Sequence, residues 1–241
     1  MSGFDRDAIQ VVACDIFGTT VDWFTGVSEQ AADVFASAGV DLDAEVFAND
    51  WRDMYLPAMQ RVRDGERPWA YLDILHRESL DSLLERHGVG AAVDDRARAR
   101  LVRAWHLLPA WPDAADGLAR LRTRYTVAAL SNGGMALLTR MMKAADLRFD
   151  CILSAELAQT YKPAPQVYRT AARLLDIDPA QVLMVAAHGW DIDGAREAGL
   201  RTAFLERPEE KGPQRKADRA GDTTSDLAVS SFIELAETLG C

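Results

Sequence analysis

Five short, unbroken apolar runs, at residues 11–14, 126–130, 151–153, 182–187 and 202–205, are separated along the chain by stretches of helical periodicity. A strand that is apolar at every position is buried on both faces, and alternation with helices is the pattern of a parallel sheet wrapped on both sides. The sequence therefore predicts an α/β protein with a Rossmann-like, doubly wound parallel core. Residues 20–94 interrupt the alternation. There Ala31, Val34, Phe35 and Ala38, and later Leu72, Leu75, Leu80, Leu83 and Leu84, fall at helical spacing. They predict a helical domain at 20–94 inserted after the first strand, with residues 1–19 and 95–241 forming the core domain. A chain of 241 residues, 49% of them hydrophobic, is long enough to bury one core and carry such an insertion.

Residues 206–226, ERPEEKGPQRKADRAGDTTSD, are rich in charge, Gly and Pro and read as a mobile surface loop before a final apolar helix at 227–239. The formal net charge of −10 is spread along the chain, without the basic stripe that a nucleic-acid partner requires. The apolar runs are far shorter than the roughly 20 residues that span a bilayer. Asp5 and Asp7 stand where a signal peptide carries basic residues, so no membrane association and a cytoplasmic location are expected. Cys14, Cys151 and Cys241 lack the number and spacing of a disulfide framework or a zinc site. Cys14 and Cys151 read as small core residues, Cys14 pointing to the strand face opposite its neighbour Asp15.

Four segments carry chemistry. In VVACDIFGTTVDW the first strand ends at Asp15 and turns through Gly18 and Thr19. Ligands of open parallel sheets bind at the carboxyl ends of strands, where a carboxylate can attack carbon or phosphorus; an Asp can equally cap the turn. AALSNGG brings the Ser131 hydroxyl, the Asn132 amide and the N–H groups around Gly133 to another strand end. In YKPAPQVY, Pro163 disfavours helix at Lys162 and presents its amine from a loop, where it can keep a nearby carboxylate ionised. Tyr168 either orients the site or packs on the core. VLMVAAHGWDIDGAREAGL sets His188, Trp190, Asp191 and Asp193 at a fourth strand end. Asp191 also suits a helix N-cap, and His188 suits either a general base or a polar loop residue.

In this order the four segments resemble the haloacid dehalogenase superfamily over nearly the whole chain, and within it the L-2-haloacid dehalogenases (type II). The resemblance implies a core of this fold with a helical cap. It also implies hydrolysis of the carbon–halogen bond of short 2-haloalkanoates to 2-hydroxy acids through an aspartyl ester, with no cofactor. By position, Asp15 matches the nucleophile, and Thr19, Ser131 and Lys162 match the groups that hold it and the substrate carboxylate. Tyr168 follows the lysine as in these enzymes, and Asp191 matches the acidic residue that helps position or activate water. Trp51-Arg52 resembles the cap arginine that receives the halide, with Asn132 and Trp190 completing the cradle and Phe17 in the substrate-contacting set. Relatives often pair through the cap, so a homodimer is compatible with the resemblance.

The phosphatases of the superfamily carry a second Asp two residues after the nucleophile and a magnesium-binding acid in the fourth motif. Phe17 and Ala187 stand at those positions. A magnesium-dependent phosphatase is therefore the alternative enzyme, and a catalytically silent binding protein of the same fold the alternative of another class. Two residues depart from the dehalogenase pattern: Ala186 and His188 replace its usual Ser and Asn. A histidine there can act as donor or base towards the hydrolytic water.

Overall fold

The computed structural model describes residues 4–241, so residues 1–3 of the expected core domain lie outside it. The first strand, β1 (Val11–Cys14), is buried at every residue. After it come helices α1 (Trp23–Ala38), α2 (Ala44–Asp53), α3 (Tyr55–Arg63), α4 (Leu72–Arg86), α5 (Asp95–Ala104) and α6 (Ala114–Leu121). Strand and helix then alternate through β2 (Thr126–Ser131), α7 (Met135–Ala144), β3 (Cys151–Ser154), α8 (Pro165–Leu174), β4 (Val182–Ala186), α9 (Gly189–Glu197) and β5 (Arg201–Leu205). The last elements are β6 (Leu227–Val229) and α10 (Phe232–Leu239).

The six strands form one parallel sheet in the order β3-β2-β1-β4-β5-β6. β1 and β4 are buried at every position although successive side chains point to opposite faces, so both faces of the sheet centre are covered. The expected strands match the observed ones to within a residue at each end. Because the chain winds from β1 towards β3 on one side and from β4 towards β6 on the other, the β1/β4 gap is the topological switch point. In such sheets a crevice opens there beyond the strand ends.

The inserted helices pack on one another around an aromatic cluster. Trp105 is its hub, with ring centroids 4.4 Å from His76, 5.5 Å from Trp51, 6.0 Å from Phe17 and 6.1 Å from Trp23. Phe17 comes from the turn after β1, so the cluster joins the insertion to the sheet. Burial holds the His76 imidazole well below its ordinary pKa, at about 3, and it serves as a neutral stacking ring. α5 lies beyond residue 94 yet packs on α1 and α4. The chain leaves and re-enters the core along paired connectors, Asp22 N–H donating to Pro109 O (2.8 Å) and Trp111 N–H to Thr20 O (3.1 Å).

Two expectations for the end of the chain are corrected. Residues 206–226 form a strap across the seam between the sheet and the inserted helices, rather than a mobile surface loop. Arg207 is buried, with Nε donating to Thr19 O (2.9 Å) and both terminal nitrogens to the Asp113 carboxylate (2.8 and 3.1 Å). Arg215 reaches Asp50 (2.8 Å) and Asp53 (2.5 Å) on α2, and Asn49 on the same helix donates to Lys211 O (3.1 Å). Arg207 and Arg215, charges that read as solvated, are thus paired with residues far away in sequence. The glycine content has a local cause as well: Gly212 has φ +72°, and a Cβ there would lie 2.3 Å from the Phe24 ring. The second correction concerns 227–239, which is a strand followed by a helix. Leu227, Ala228 and Val229 pair with β5, and α10 starts only after Ser231, whose hydroxyl accepts from Glu234 N (3.0 Å).

Candidate active site

Asp15 follows β1 directly and donates its backbone N–H to Val185 O on β4 (2.9 Å), which fixes it at the switch point. Gly18 takes φ +84°, and Thr20 Oγ1 donates to Asp15 O (2.6 Å), closing the turn beneath the carboxylate. Asp15 Oδ1 accepts from Lys162 Nζ at 2.8 Å. Oδ2 accepts from Thr19 Oγ1 at 3.0 Å and lies 3.3 Å from His188 Nδ1. Burial would raise the Asp15 pKa, but Lys162 and His188 outweigh it and hold the carboxylate well below the usual range. A buried, ionised carboxylate without a proton is a nucleophile in waiting.

Lys162 is fully buried and saturated: besides Asp15 it donates to Leu130 O (2.9 Å) and Asp191 Oδ2 (2.5 Å). Burial opposes its charge, yet the two carboxylates outweigh that cost and raise its pKa. Asp191 is pushed upward, first by burial and then by the Asp15 charge, with Lys162 offsetting part of the rise. Tyr168 Oη donates to Asp191 Oδ1 (2.6 Å), so it orients the site, one of the two roles open in the sequence. Asn132 Oδ1 accepts from Lys162 N (2.7 Å) and so aligns the lysine loop. Ser131 is buried beside these groups and accepts from Gly133 N (3.2 Å) within its own turn.

The inserted helices bring Arg52 over this floor. Its guanidinium carbon lies 4.1 Å from the Tyr55 ring centroid and 5.3 Å from that of Trp23, and its Nη1 has no hydrogen-bond partner among the described residues. Asn132 Nδ2 lies near the Tyr55 hydroxyl but makes no hydrogen bond of good geometry. Trp190 stacks on His188, centroids 5.4 Å apart and planes 25° apart. Phe17 is placed edge-on to Tyr55 (6.4 Å) and to Trp105, in the aromatic wall of the site. A cleft of about 220 Å³ lined by Arg52, Tyr55, His188, Trp190 and Glu210 opens at this point.

Glu210, from the strap, is a residue that the sequence does not point to. It is 1% exposed, and its Oε1 accepts from Trp23 Nε1 (2.7 Å) and His188 Nε2 (2.9 Å), with Arg52 Nη2 at 4.0 Å. A Cβ on residue 18 would lie 2.3 Å from that oxygen, so the glycine is needed for space as well as for its positive φ. Burial would raise the Glu210 pKa, but His188 and then Arg52 hold it down at about 2. For His188 burial works against the charged ring, and Glu210 and Asp15 overcome it to push the pKa up to about 10. The ring is therefore an imidazolium facing a carboxylate on each side. Tyr55 was missed too, although its place three residues after Arg52 is the spacing of neighbours on a helical surface.

The residues do not fit a magnesium ion. At Ala187 the site has a methyl group, and the Ala187 N–H donates to Thr19 Oγ1 (2.9 Å). The Asp15 oxygens are already taken by Lys162, Thr19 and the His188 cation, and Asp191 is engaged by Lys162 and Tyr168. Among the described residues no group of three or more His, Cys, Asp or Glu side chains could hold a metal ion.

The chain matches the model of the haloacid dehalogenase-like hydrolases over residues 9–199, most of its length. It belongs to that family. Over 207 residues this haloacid dehalogenase-like hydrolase is 34% identical to (S)-2-haloacid dehalogenase 1 of Pseudomonas sp. (strain CBS-3), covering 83% of this chain and 86% of the relative. Its structure superposes on that of a defluorinating L-2-haloacid dehalogenase with a TM-score of 0.93 and 38% identity, covering 97% of this chain and 96% of the other. A second solved structure is the L-2-haloacid dehalogenase of Xanthobacter autotrophicus with chloropropionic acid covalently bound. It gives a TM-score of 0.81 at 25% identity and covers 96% and 98% of the two chains.

Proposed function

We infer that this hydrolase acts on carbon–halide bonds as an (S)-2-haloacid dehalogenase, converting short 2-haloalkanoates to 2-hydroxy acids. The observation that carries the reading is a buried, ionised Asp15 in a site where two buried donors, Arg52 Nη1 and Asn132 Nδ2, have no hydrogen-bond partner among the described residues. A departing halide needs such donors and needs no proton. The names of the relatives support the same substrate class.

Asp15 attacks the α carbon in line with the halogen, the C–O bond forms, and the C–X electron pair leaves with the halide. The Arg52 guanidinium, the Asn132 amide and the Trp190 indole edge stabilise the charge that develops on it. Thr19, Ser131 and Lys162 hold the nucleophile and the substrate carboxylate, and Phe17 supplies apolar wall. Water then adds to the acyl carbon of the Asp15 ester. Lys162, kept in place by Asp191 and Tyr168, stabilises the oxyanion, and collapse expels the 2-hydroxy acid. Backside attack inverts the α carbon.

Chiral analysis of the products from each 2-chloropropionate enantiomer tests this. Consumption of the (S) form with release of chloride and (R)-lactate is expected. No halide release from any short 2-haloacid would refute the reading.

A further inference from the structure

We propose that His188 and Glu210 form the base for ester hydrolysis, His188 Nδ1 taking the proton of the attacking water while Glu210 holds the opposite N–H. The proposal rests on the dehalogenase reading and assigns its second step.

The imidazole bridges the nucleophile and a second carboxylate: Nδ1 is 3.3 Å from Asp15 Oδ2, and Nε2 is 2.9 Å from Glu210 Oε1. Nδ1 makes no hydrogen bond of good geometry to Asp15, so it is the ring atom free to turn to water bound at the ester. Asp191, the other acid beside Asp15, has one oxygen taken by Lys162 and the other by Tyr168, and the neighbouring Ala186 and Ala187 offer no polar side chain. His188 is thus the base best placed at the reacting carboxylate. Glu210 is a positioning residue, fixed by the Trp23 indole, by the space over Gly18, and by a strap that Arg215 ties to α2.

The geometry also gives the base its timing. At rest the buried groups balance: Asp15, Asp191 and Glu210 against Lys162, His188 and Arg52. Asp53, Lys211 and Asp218 face the pair from the mouth of the cleft. Alkylation turns Asp15 into a neutral ester and removes one of the two carboxylates that keep the ring protonated. Nδ1 then releases its proton to solvent as the halide departs, while Nε2–H stays on Glu210. When water adds to the acyl carbon, one of its protons goes to Nδ1. The second reaches the departing alkoxide as the tetrahedral centre collapses and the acyl C–O bond breaks. Asp15 ends as carboxylate and His188 as imidazolium, the starting state, and the halide and one proton are the net by-products.

Rapid-quench reaction of the full-length His188→Asn and Glu210→Gln variants with (S)-2-chloropropionate tests the assignment. Both variants are expected to release a burst of about one equivalent of chloride, with the Asp15 peptide carrying the alkyl group by mass. They should then hydrolyse the ester ~10²- to 10⁴-fold more slowly than wild type. The burst itself reports a folded site. The rise of the hydrolysis rate with pH should move to lower pH in Glu210→Gln and vanish in His188→Asn, which a merely structural role would not produce. Hydrolysis at the wild-type rate, loss of the burst, or an unmoved pH limb in Glu210→Gln overturns the proposal. Absence of chloride release from wild type instead overturns the dehalogenase reading beneath it.

Discussion

The two oxygens of Asp15 have surroundings of different construction. On the Oδ1 side stand Lys162, Asp191 and Tyr168, a chain of short hydrogen bonds drawn from the ends of neighbouring strands and the helices that follow them. On the Oδ2 side stand Thr19 and His188, and behind His188 come Glu210, Trp23 and Arg52, which need the strap and the inserted helices to meet. The first half is a property of the sheet at its switch point. The second is assembled across the seam between two parts of the molecule. The sheet thus secures a charged carboxylate by itself, whereas the proposed halide capture and water activation depend on residues that meet across the seam.

Substitutions on the two sides should separate these contributions. Asp15→Asn, which both sides share, should lower halide release by at least ~10⁴-fold while leaving the circular dichroism spectrum unchanged. On the Oδ1 side, Lys162→Met leaves two buried carboxylates without their cation, and a loss of about 3–5 kcal/mol in urea unfolding is expected. On the Oδ2 side, Arg52→Ala removes an anion donor whose ion pair with Glu210 is long, at 4.0 Å, and leaves Glu210 its closer bonds from His188 and Trp23. It should reduce kcat/KM by about 10²- to 10³-fold with a much smaller change in stability. Equal stability losses for the last two variants would erase the distinction between the two sides.

Titration sharpens the contrast. The His188 pKa is raised from 6.5 to about 10, so the folded state binds its proton more tightly than the unfolded chain. That stabilisation is fully present below about pH 6.5 and is lost as the pH rises through about 10. The Asp15 pKa is lowered from 3.8, so its contribution is present above that value and lost as the pH falls into the acid range. Chemical unfolding between pH 6 and 10.5 should show an alkaline loss of stability in wild type that is absent from His188→Asn. The smallest effect is expected where Arg215 ties the strap to α2. Arg215 is 35% exposed, and its solvent-screened pairs with Asp50 and Asp53 should contribute under about 1 kcal/mol, read from the unfolding midpoint of Arg215→Ala.

The same division explains what could be read from the sequence. Asp15, Ser131, Asn132, Lys162 and Asp191 lie at or near the ends of strands that are visible as apolar runs, and a parallel sheet brings such ends together whatever the loops do. Glu210 lies in a segment with no periodicity, where charge and Gly suggested solvent. Its meaning depends on a chain path set by Arg207, Gly212 and Arg215. Asp94, where the expected insertion ends, caps α5, its carboxylate accepting from Ala97 N (2.8 Å), and α5 packs on α1 and α4. β6 reads as part of the last helix in the sequence because three residues are too few to display a period.

In the proposed reaction Asp15 forms the covalent intermediate and water attacks its acyl carbon. One turnover with enzyme in excess over (S)-2-chloropropionate in ¹⁸O-water, followed by mass analysis of the peptide bearing Asp15, tests it directly. Heavy oxygen is expected in the Asp15 carboxylate and ordinary oxygen in the hydroxy acid. Heavy oxygen in the hydroxy acid, with an unlabelled Asp15, would contradict it.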